Sequence, residues 1–387
     1  MSRRTWALLI AGTLAGALVL IALWVLPRLA RRVGVSIPGG SPGPVNLQLP
    51  SGFAATIFAR GLDGPRFMAY DDQVLFVAEM GAGRIVALPD WDLDGTSDEA
   101  RVVIEGLARP SSLAFHQGWC YVGETGQIVR LRIDENLNVI EKQVIVPNLP
   151  TGGAHTTRTV LIGPKGRLYV AVGSSCNVCL EEDERRAAIY VYGAGDSQGS
   201  LFAKGLRNAV GLAVDPWTGE LWSTKNGRDW LGDDSPPDTV YIVRKGHDYG
   251  WPRCHNGRII DPEFGQRDSC DGVEAPAIEF PAHSAPLGLA FYNGDQFPEE
   301  YRGDLFVALH GSWNRSQPTG YKVVHIPRNG NKSMREVLDF ATGWLQENGR
   351  TAPGRPVGVT VAPDGALMIS DDKAGIIYRV SYRVVGP

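Results

Sequence analysis

The sequence predicts an all-β protein, a six-bladed β-propeller preceded by one N-terminal transmembrane helix. Three observations predict it: one strand-turn-strand pattern recurs six times, turn-forming residues are abundant, and a single long uncharged apolar run sits at the N-terminus. Glycine and proline supply 47 and 26 of the 387 residues, and 43% of the chain is hydrophobic, enough for a sizeable core and against disorder. A formal net charge of −4 gives no electrostatic reason to expect nucleic acid as a partner. Few methionines and no long charged periodic stretch argue against a helical bundle.

Between Arg4 and Arg28 lie 23 uncharged positions, including Leu8-Leu9-Ile10 and the run from Leu18 to Leu26. About 20 apolar residues span a bilayer as a helix. No A-x-A-like cleavage site follows the run, so residues 1–32 are expected to form an uncleaved anchor or signal. Ser2-Arg3-Arg4 also resembles a twin-arginine export signal. Arg3 and Arg4 oppose Arg28, Arg31 and Arg32 across the span, which leaves orientation open. Residues 33–50, with Pro38-Gly39-Gly40-Ser41-Pro42-Gly43-Pro44, read as a tether, and residues 51–387 as the propeller.

Copies of the repeat begin at Pro65, Pro110, Arg158, Asn208, Pro286 and Pro356. The turns Gly163-Pro164-Lys165-Gly166, Asp215-Pro216-Trp217-Thr218-Gly219 and Ala362-Pro363-Asp364-Gly365 fall at the same point of their units, where Pro and Gly make a tight hairpin. Successive starts lie 45, 48, 50, 78 and 70 residues apart, against the roughly 40–50 residues of a four-stranded blade. The alternative is a β-sandwich with coincidental turns. Insertions after Asn208 and Pro286 account for the two long spacings, and insertions on a rigid ring are where function concentrates.

A propeller also predicts which loops meet. The loop before each innermost strand shares a face with the loop between the second and third strands. The first set brings Arg66, Arg109, His155, Arg158, Arg207, Asn208, His283 and Arg355. The second brings Glu79, Glu124, Ser174-Ser175, Asn226 to Asp229, His310, Asn314-Arg315 and Asp371-Asp372. Converging guanidiniums imply an anionic ligand, with pairing to neighbouring acids as the alternative for any one of them.

Cys176 and Cys179 form a C-x-x-C, while Cys254 and Cys270 bracket a polar loop. Zinc would need matched spacings and a thioredoxin-like site a βαβ pattern, so two local disulfides in an exported domain are simpler. Cys120, inside an apolar strand, is expected to be a buried free thiol. The domain would then face the periplasm or cell exterior of a bacterium. Asp90-Trp91-Asp92-Leu93-Asp94-Gly95 matches the front half of a calcium loop, but Arg101 stands where an EF-hand needs its bidentate Glu. Asp90, Asp92 and Asp94, with Asp98 as a further oxygen, are candidate structural-calcium ligands or a plain acidic turn.

Several segments carry a resemblance: Gly153-Ala154-His155-Thr156-Thr157-Arg158, Gly205-Leu206-Arg207-Asn208, Asn226-Gly227-Arg228-Asp229, Leu231-Gly232-Asp233-Asp234 and Pro236-Pro237-Asp238. Tyr249-Gly250-Trp251-Pro252, His283-Ser284-Ala285-Pro286, His310-Gly311-Ser312-Trp313-Asn314-Arg315, Gly320-Tyr321-Lys322 and Gly354-Arg355-Pro356 continue it. Across residues 46–383 the chain resembles the quinoprotein glucose/sorbosone dehydrogenases, six-bladed propellers using pyrroloquinoline quinone and calcium, with motifs closer to the sorbosone branch.

The resemblance implies oxidation of a sugar, a sorbosone-like sugar aldehyde or a related alcohol. It makes His155 the general base and sets Arg207 against the reacting carbonyl. Arg158, Asn208, Arg228, Arg315, Lys322 and Arg355 would hold the tricarboxylate cofactor. Main-chain carbonyls of Gly227, Arg228 and Asp229 would ligate calcium acting as a Lewis acid. Cys176-Asn177-Val178-Cys179 is followed by Leu180, so there is no haem-attachment C-x-x-C-H. The electron acceptor is expected to be another molecule, a cytochrome or a membrane quinone. The alternatives are a calcium-dependent lactonase on the same propeller and a non-catalytic ligand-binding propeller.

Overall fold

The structure, a computed structural model, describes residues 45–193, 196–328, 336–346 and 349–383. The expected anchor and most of the expected tether therefore lie outside the described residues. Among the described residues no helix is long and apolar enough to cross a membrane.

Strands pair into six antiparallel four-stranded sheets in consecutive order, which is a six-bladed propeller. The innermost strands are Pro65–Asp71, Ser112–His116, Arg158–Ile162, Asn208–Val214, Pro286–Phe291 and Pro356–Val361. Five of these start where the repeat does, and the second starts two residues late, after Pro110-Ser111. The ring closes across the chain: Phe53–Arg60 forms the outer strand of blade 6 by pairing with Ile376–Tyr382.

Each of the six gaps between neighbouring blades holds its own apolar cluster. Tyr121, Val170 and Tyr190 pack between blades 2 and 3, and Trp222, Phe291 and Val307 between blades 4 and 5. At the axis the blades are too close for side chains, so glycine and short hydroxyls replace them. A Cβ at Gly288 would lie 2.6 Å from the Val357 carbonyl, and one at Gly358 2.8 Å from the Arg66 carbonyl. Hydroxyls there donate to the next blade: Ser112 to the Arg158 carbonyl at 2.7 Å, Thr224 to Leu287 at 2.8 Å, and Ser370 to Arg66 at 2.6 Å. The Leu287 and Arg66 carbonyls fall in local breaks of their inner ladders, and these bonds satisfy them. At one end the innermost strands of all six blades line an axial cavity of about 330 Å³.

Both expected disulfides are present, Cys176–Cys179 and Cys254–Cys270, and Cys120 is a buried free thiol. The second disulfide braces the insertion of blade 4, where Cys254–His255 pairs with Ile259–Ile260.

Candidate active site

The loops expected to meet do meet, around His155 and Arg207. His155 precedes the innermost strand of blade 3. Its Nδ1 lies 3.0 Å from the Ser174 carbonyl and 2.9 Å from the Ser174 hydroxyl. That hydroxyl donates to the Cys176 carbonyl at 2.7 Å. The proton of the ring therefore belongs on Nδ1, pointed at the Ser174 carbonyl, and Nε2 carries the free lone pair. Gly173 makes the approach possible, since a Cβ there would sit 2.5 Å from the His155 Cβ and 2.6 Å from Asn208 Oδ1. Burial, and after it the Arg207 guanidinium, pull the imidazole down to about 3, so it is neutral at physiological pH.

Arg207 is buried, and every nitrogen of its guanidinium is engaged. Nε donates to the Asn177 carbonyl at 2.8 Å, and Nη2 to Asn177 Oδ1 at 2.9 Å and Asp229 Oδ2 at 3.2 Å. Nη1 reaches the Asn226 carbonyl at 3.4 Å. Asn177 also accepts from the Asp229 amide at 2.7 Å and donates to the Asp229 carbonyl at 3.1 Å. One asparagine inside the Cys176–Cys179 loop thus joins the two loops that present Arg207 and Asp229. Asn208 donates to Asn226 Oδ1 at 3.0 Å.

On the opposite side of the mouth, His310 Nε2 lies 3.0 Å from Asp372, which also pairs with Arg66 at 2.9 Å. Burial pushes the Asp372 carboxyl up, but His310 and Arg66 outweigh it and hold the group well below the carboxylate range. Arg355 donates to the His310 carbonyl at 2.9 Å and to that of Gly311, with Tyr321 beneath it at 5.3 Å. Arg315 ties Asp234, at 2.7 Å, to the Ala282 carbonyl.

Three residues expected at the cofactor have other partners. Arg158 is fully buried, with Nη1 and Nη2 donating to the main-chain carbonyls of Pro150, His155 and Thr157 and Nε without a partner. Arg228 turns to the blade 4 insertion, pairing with Asp261 at 2.5 Å and Glu263 at 2.7 Å. Lys322 is held at 2.5 Å by Asp339 on the outermost strand of blade 5. Glu79 and Glu124 are likewise structural: each caps a main-chain amide, of Asp63 and Ala108, in the loop before its blade's innermost strand.

Several cations at and around the mouth are desolvated. Burial lowers the Arg207 and Arg355 guanidiniums below their ordinary value and brings Arg158 to about 10. Lys225 is fully buried with no hydrogen-bond partner for its ammonium, and burial, with Arg207 next, brings it to about 8. Arg207 and Arg66 pair with Asp229 and Asp372, while Arg355 donates to main-chain carbonyls and Lys225 has no hydrogen-bond partner, so an anion there would relieve these last two.

The acidic loop lies on the opposite face, between the third and fourth strands of blade 1. Asp90, Asp92 and Asp98 bring carboxylate oxygens within 4.8 Å of one another, whereas Asp94 accepts from the Thr96 amide instead. Asn177 and Lys225 were not among the residues expected at the mouth. In the sequence Asn177 is only a spacer of the Cys176-Asn177-Val178-Cys179 motif, with no repeat or charge to mark it.

The six-bladed propeller thus gathers a neutral imidazole and the guanidiniums of Arg66, Arg207, Arg315 and Arg355 at one mouth. Residues 47–258 match the profile of the family described as TrAA12-like, and residues 191–379 that of the glucose/sorbosone dehydrogenases. The first of these matches spans more than half of the chain, and the chain belongs to the TrAA12-like family.

It is 29% identical over 357 residues to an uncharacterised protein of Borreliella burgdorferi, covering 88% of this chain and 92% of that one. It is 26% identical over 435 residues to a pyrroloquinoline quinone-dependent pyranose dehydrogenase of Coprinopsis cinerea, covering 91% of this chain. Only 57% of the length of that fungal protein is matched. The solved holo form of the quinone domain of a Coprinopsis cinerea pyranose dehydrogenase superposes with a TM-score of 0.76 at 23% identity, covering 90% of this chain and 100% of that domain.

Proposed function

We propose that this protein is a quinoprotein sugar dehydrogenase that uses pyrroloquinoline quinone with calcium, His155 serving as general base. The observation that carries the reading is the bond from His155 Nδ1 to the Ser174 carbonyl, which leaves Nε2 bare beside a buried guanidinium. Family membership supports the cofactor, and the residues fit it: a tricarboxylate suits a mouth that gathers Arg207, Arg315, Arg355 and the unpartnered ammonium of Lys225. Arg207, Asn208, Arg315 and Arg355 are the side chains at the mouth that would hold it, with Arg66 beside them. The Gly227 and Arg228 carbonyls, carried by a loop braced at the Gly227 amide by Asp238 at 2.6 Å, would ligate calcium. When bound, the quinone supplies a two-electron acceptor and calcium a Lewis acid.

The chain's own part is proton and charge handling. His155 Nε2 takes the proton of the substrate hydroxyl as hydride leaves the same carbon. Arg207, rigid in its cage of Asn177, Asn226 and Asp229, stabilises negative charge that develops at the acceptor. Because that cage fixes the guanidinium charge in place beforehand, little reorganisation accompanies the reaction. The two disulfides suit an oxidising compartment, so the propeller works outside the cytoplasm and passes electrons to a separate cytochrome or membrane quinone.

The test loads the full-length protein with calcium and pyrroloquinoline quinone and follows thermal stabilisation and dye reduction over a panel of aldoses, sugar aldehydes and alcohols. Saturable quinone binding with sugar-dependent dye reduction supports the reading. No quinone binding, or calcium-dependent lactone hydrolysis without quinone, overturns it.

A further inference from the structure

Four tryptophans are exposed among the described residues, and two of them, Trp230 and Trp313, stand against each other. Each is 67% exposed, and their rings meet edge to face with centroids 5.4 Å apart. Trp217 is covered by Arg328 at 4.8 Å, and Trp91 lies on the opposite face in the acidic loop. Trp230 follows Asp229, the partner of Arg207, and Trp313 precedes Asn314, whose amide donates to Asp229 at 2.7 Å. The indoles therefore belong to the same two loops that build the mouth.

Both loops are held rigidly, and one is held under strain. Trp230 has φ +71°, a left-handed conformation that a bulky side chain adopts only when its surroundings impose it. Arg315 to Asp234 and Ser316 to Asp233 at 3.1 Å fasten one loop to the other. Within the second loop the Ser312 amide donates to the Thr319 carbonyl at 2.9 Å. At Gly311, φ +97°, a Cβ would run into the Tyr321 ring, so only glycine lets the turn fold that tightly beneath Trp313. A protein with no use for these rings would bury them or replace them, since an exposed apolar pair at a polar mouth is a solubility liability.

We infer that Trp230 and Trp313 form the stacking wall that receives the ring of a cyclic sugar above the reactive centre. The inference rests on the sugar dehydrogenase reading and deepens it, by assigning the residues that select a pyranose over an open-chain substrate. A pyranose turns several C–H bonds to one face, and that apolar patch packs on an indole while the hydroxyls point to water and to polar groups. An acyclic aldehyde or small alcohol offers no comparable face. The neighbouring charges supply the polar half: Asp229 and His283, 3.6 Å apart, lie beside the pair. Two rings at right angles present a face and an edge, which orients a disc-shaped ligand as well as holding it.

The test compares Trp313→Ala, Trp230→Ala and Trp313→Phe in the full-length, quinone- and calcium-loaded protein. Unchanged thermal unfolding and unchanged quinone affinity first show that fold and cofactor site are intact. The expected result is a rise in KM for aldopyranoses of about tenfold, equivalent to about 1.4 kcal/mol, with kcat moving far less. Trp313→Phe, which keeps an aromatic face, should recover most of it, and KM for an acyclic aldehyde should hardly change. Saturation-transfer NMR on the turnover-dead His155→Gln protein gives a readout independent of catalysis. Ring C–H protons of the sugar should receive saturation, and lose it in the Trp313→Ala background.

Quinone-loaded protein that oxidises sugars with KM unchanged in both alanine variants overturns this inference and leaves the dehydrogenase reading standing. A KM increase confined to the electron acceptor also overturns it, because the pair would then dock the acceptor. Protein that binds no quinone and oxidises no sugar refutes both.

Discussion

The Nδ1 atom of His155 lies 3.0 Å from the main-chain oxygen of Ser174, and that contact decides which ring nitrogen is left without a proton. The acceptor is a carbonyl, so the ring must donate there, and Nε2 becomes the basic atom. An unperturbed imidazole titrates near 6.5 and would be partly charged at neutral pH. Here burial and Arg207 keep it neutral, which secures the base form but weakens its intrinsic basicity. An anion beside Arg207 would work the other way and raise the imidazole.

Stability should fall as the protein is acidified below about pH 6.5. His155 and His255 sit at about 3 and about 4 when folded, both pulled down chiefly by burial. The unfolded chain takes up those protons near 6.5 and the native state does not, so between about 4 and 6.5 the unfolded state binds more protons. Each such proton gives a slope of about 1.4 kcal/mol per pH unit, with stability rising toward neutrality. Urea unfolding from pH 4 to 8 measures it, and His155→Gln should remove about one proton's worth of slope. An equal slope in that variant would mean the ring is not shielded.

Asn177→Ala should cost both stability and turnover. The substitution strips Arg207 Nη2 and the Asp229 amide of one shared acceptor and leaves buried donors unpaired, about 1–3 kcal/mol each. Thermal unfolding should drop by several degrees and kcat by about one to two orders of magnitude as Arg207 loses its fixed aim. Wild-type kcat in a destabilised variant would show that the bridge serves the fold alone.

Lys225→Met should stabilise the protein. The ammonium is fully buried with no hydrogen-bond partner, and an apolar isostere of similar length removes that desolvation cost, about 1–3 kcal/mol. Denaturant unfolding at fixed pH measures the gain. A loss of stability instead would mean that the ammonium is solvated by internal water that the methionine displaces.

The ring was legible because its signal repeats: apolar strands alternate with Gly-Pro and Pro-Asp-Gly turns, and Pro65, Arg158, Asn208, Pro286 and Pro356 each open an innermost strand. Which loops share a face followed from topology, so His155, Arg207 and Asp229 could be placed together. Repetition also misled. An acid at the end of a second strand recurs because Glu79, Glu124 and Asp371 each cap an amide before an innermost strand, at 2.6, 2.7 and 2.8 Å. That is a blade staple and carries no chemistry. Arg158, Arg228 and Lys322 show the matching limit. Loop position puts an arginine or lysine near a mouth, but the direction of a long side chain depends on which carbonyls and acids the fold brings to it, such as Pro150, Asp261 and Asp339. Trp230 and Trp313 carry no periodic signal, being 83 residues apart and joined only by folding.

The central claim is tested most directly by a single turnover without acceptor. Full-length protein loaded with calcium and pyrroloquinoline quinone is mixed anaerobically with an aldose, and the absorbance of the bound quinone is followed by stopped flow. The wild-type protein should reduce its quinone completely in one exponential phase. His155→Ala should bind the quinone with similar affinity and reduce it about a hundredfold to ten-thousandfold more slowly. Quinone reduction at the wild-type rate in the His155→Ala protein would contradict the account.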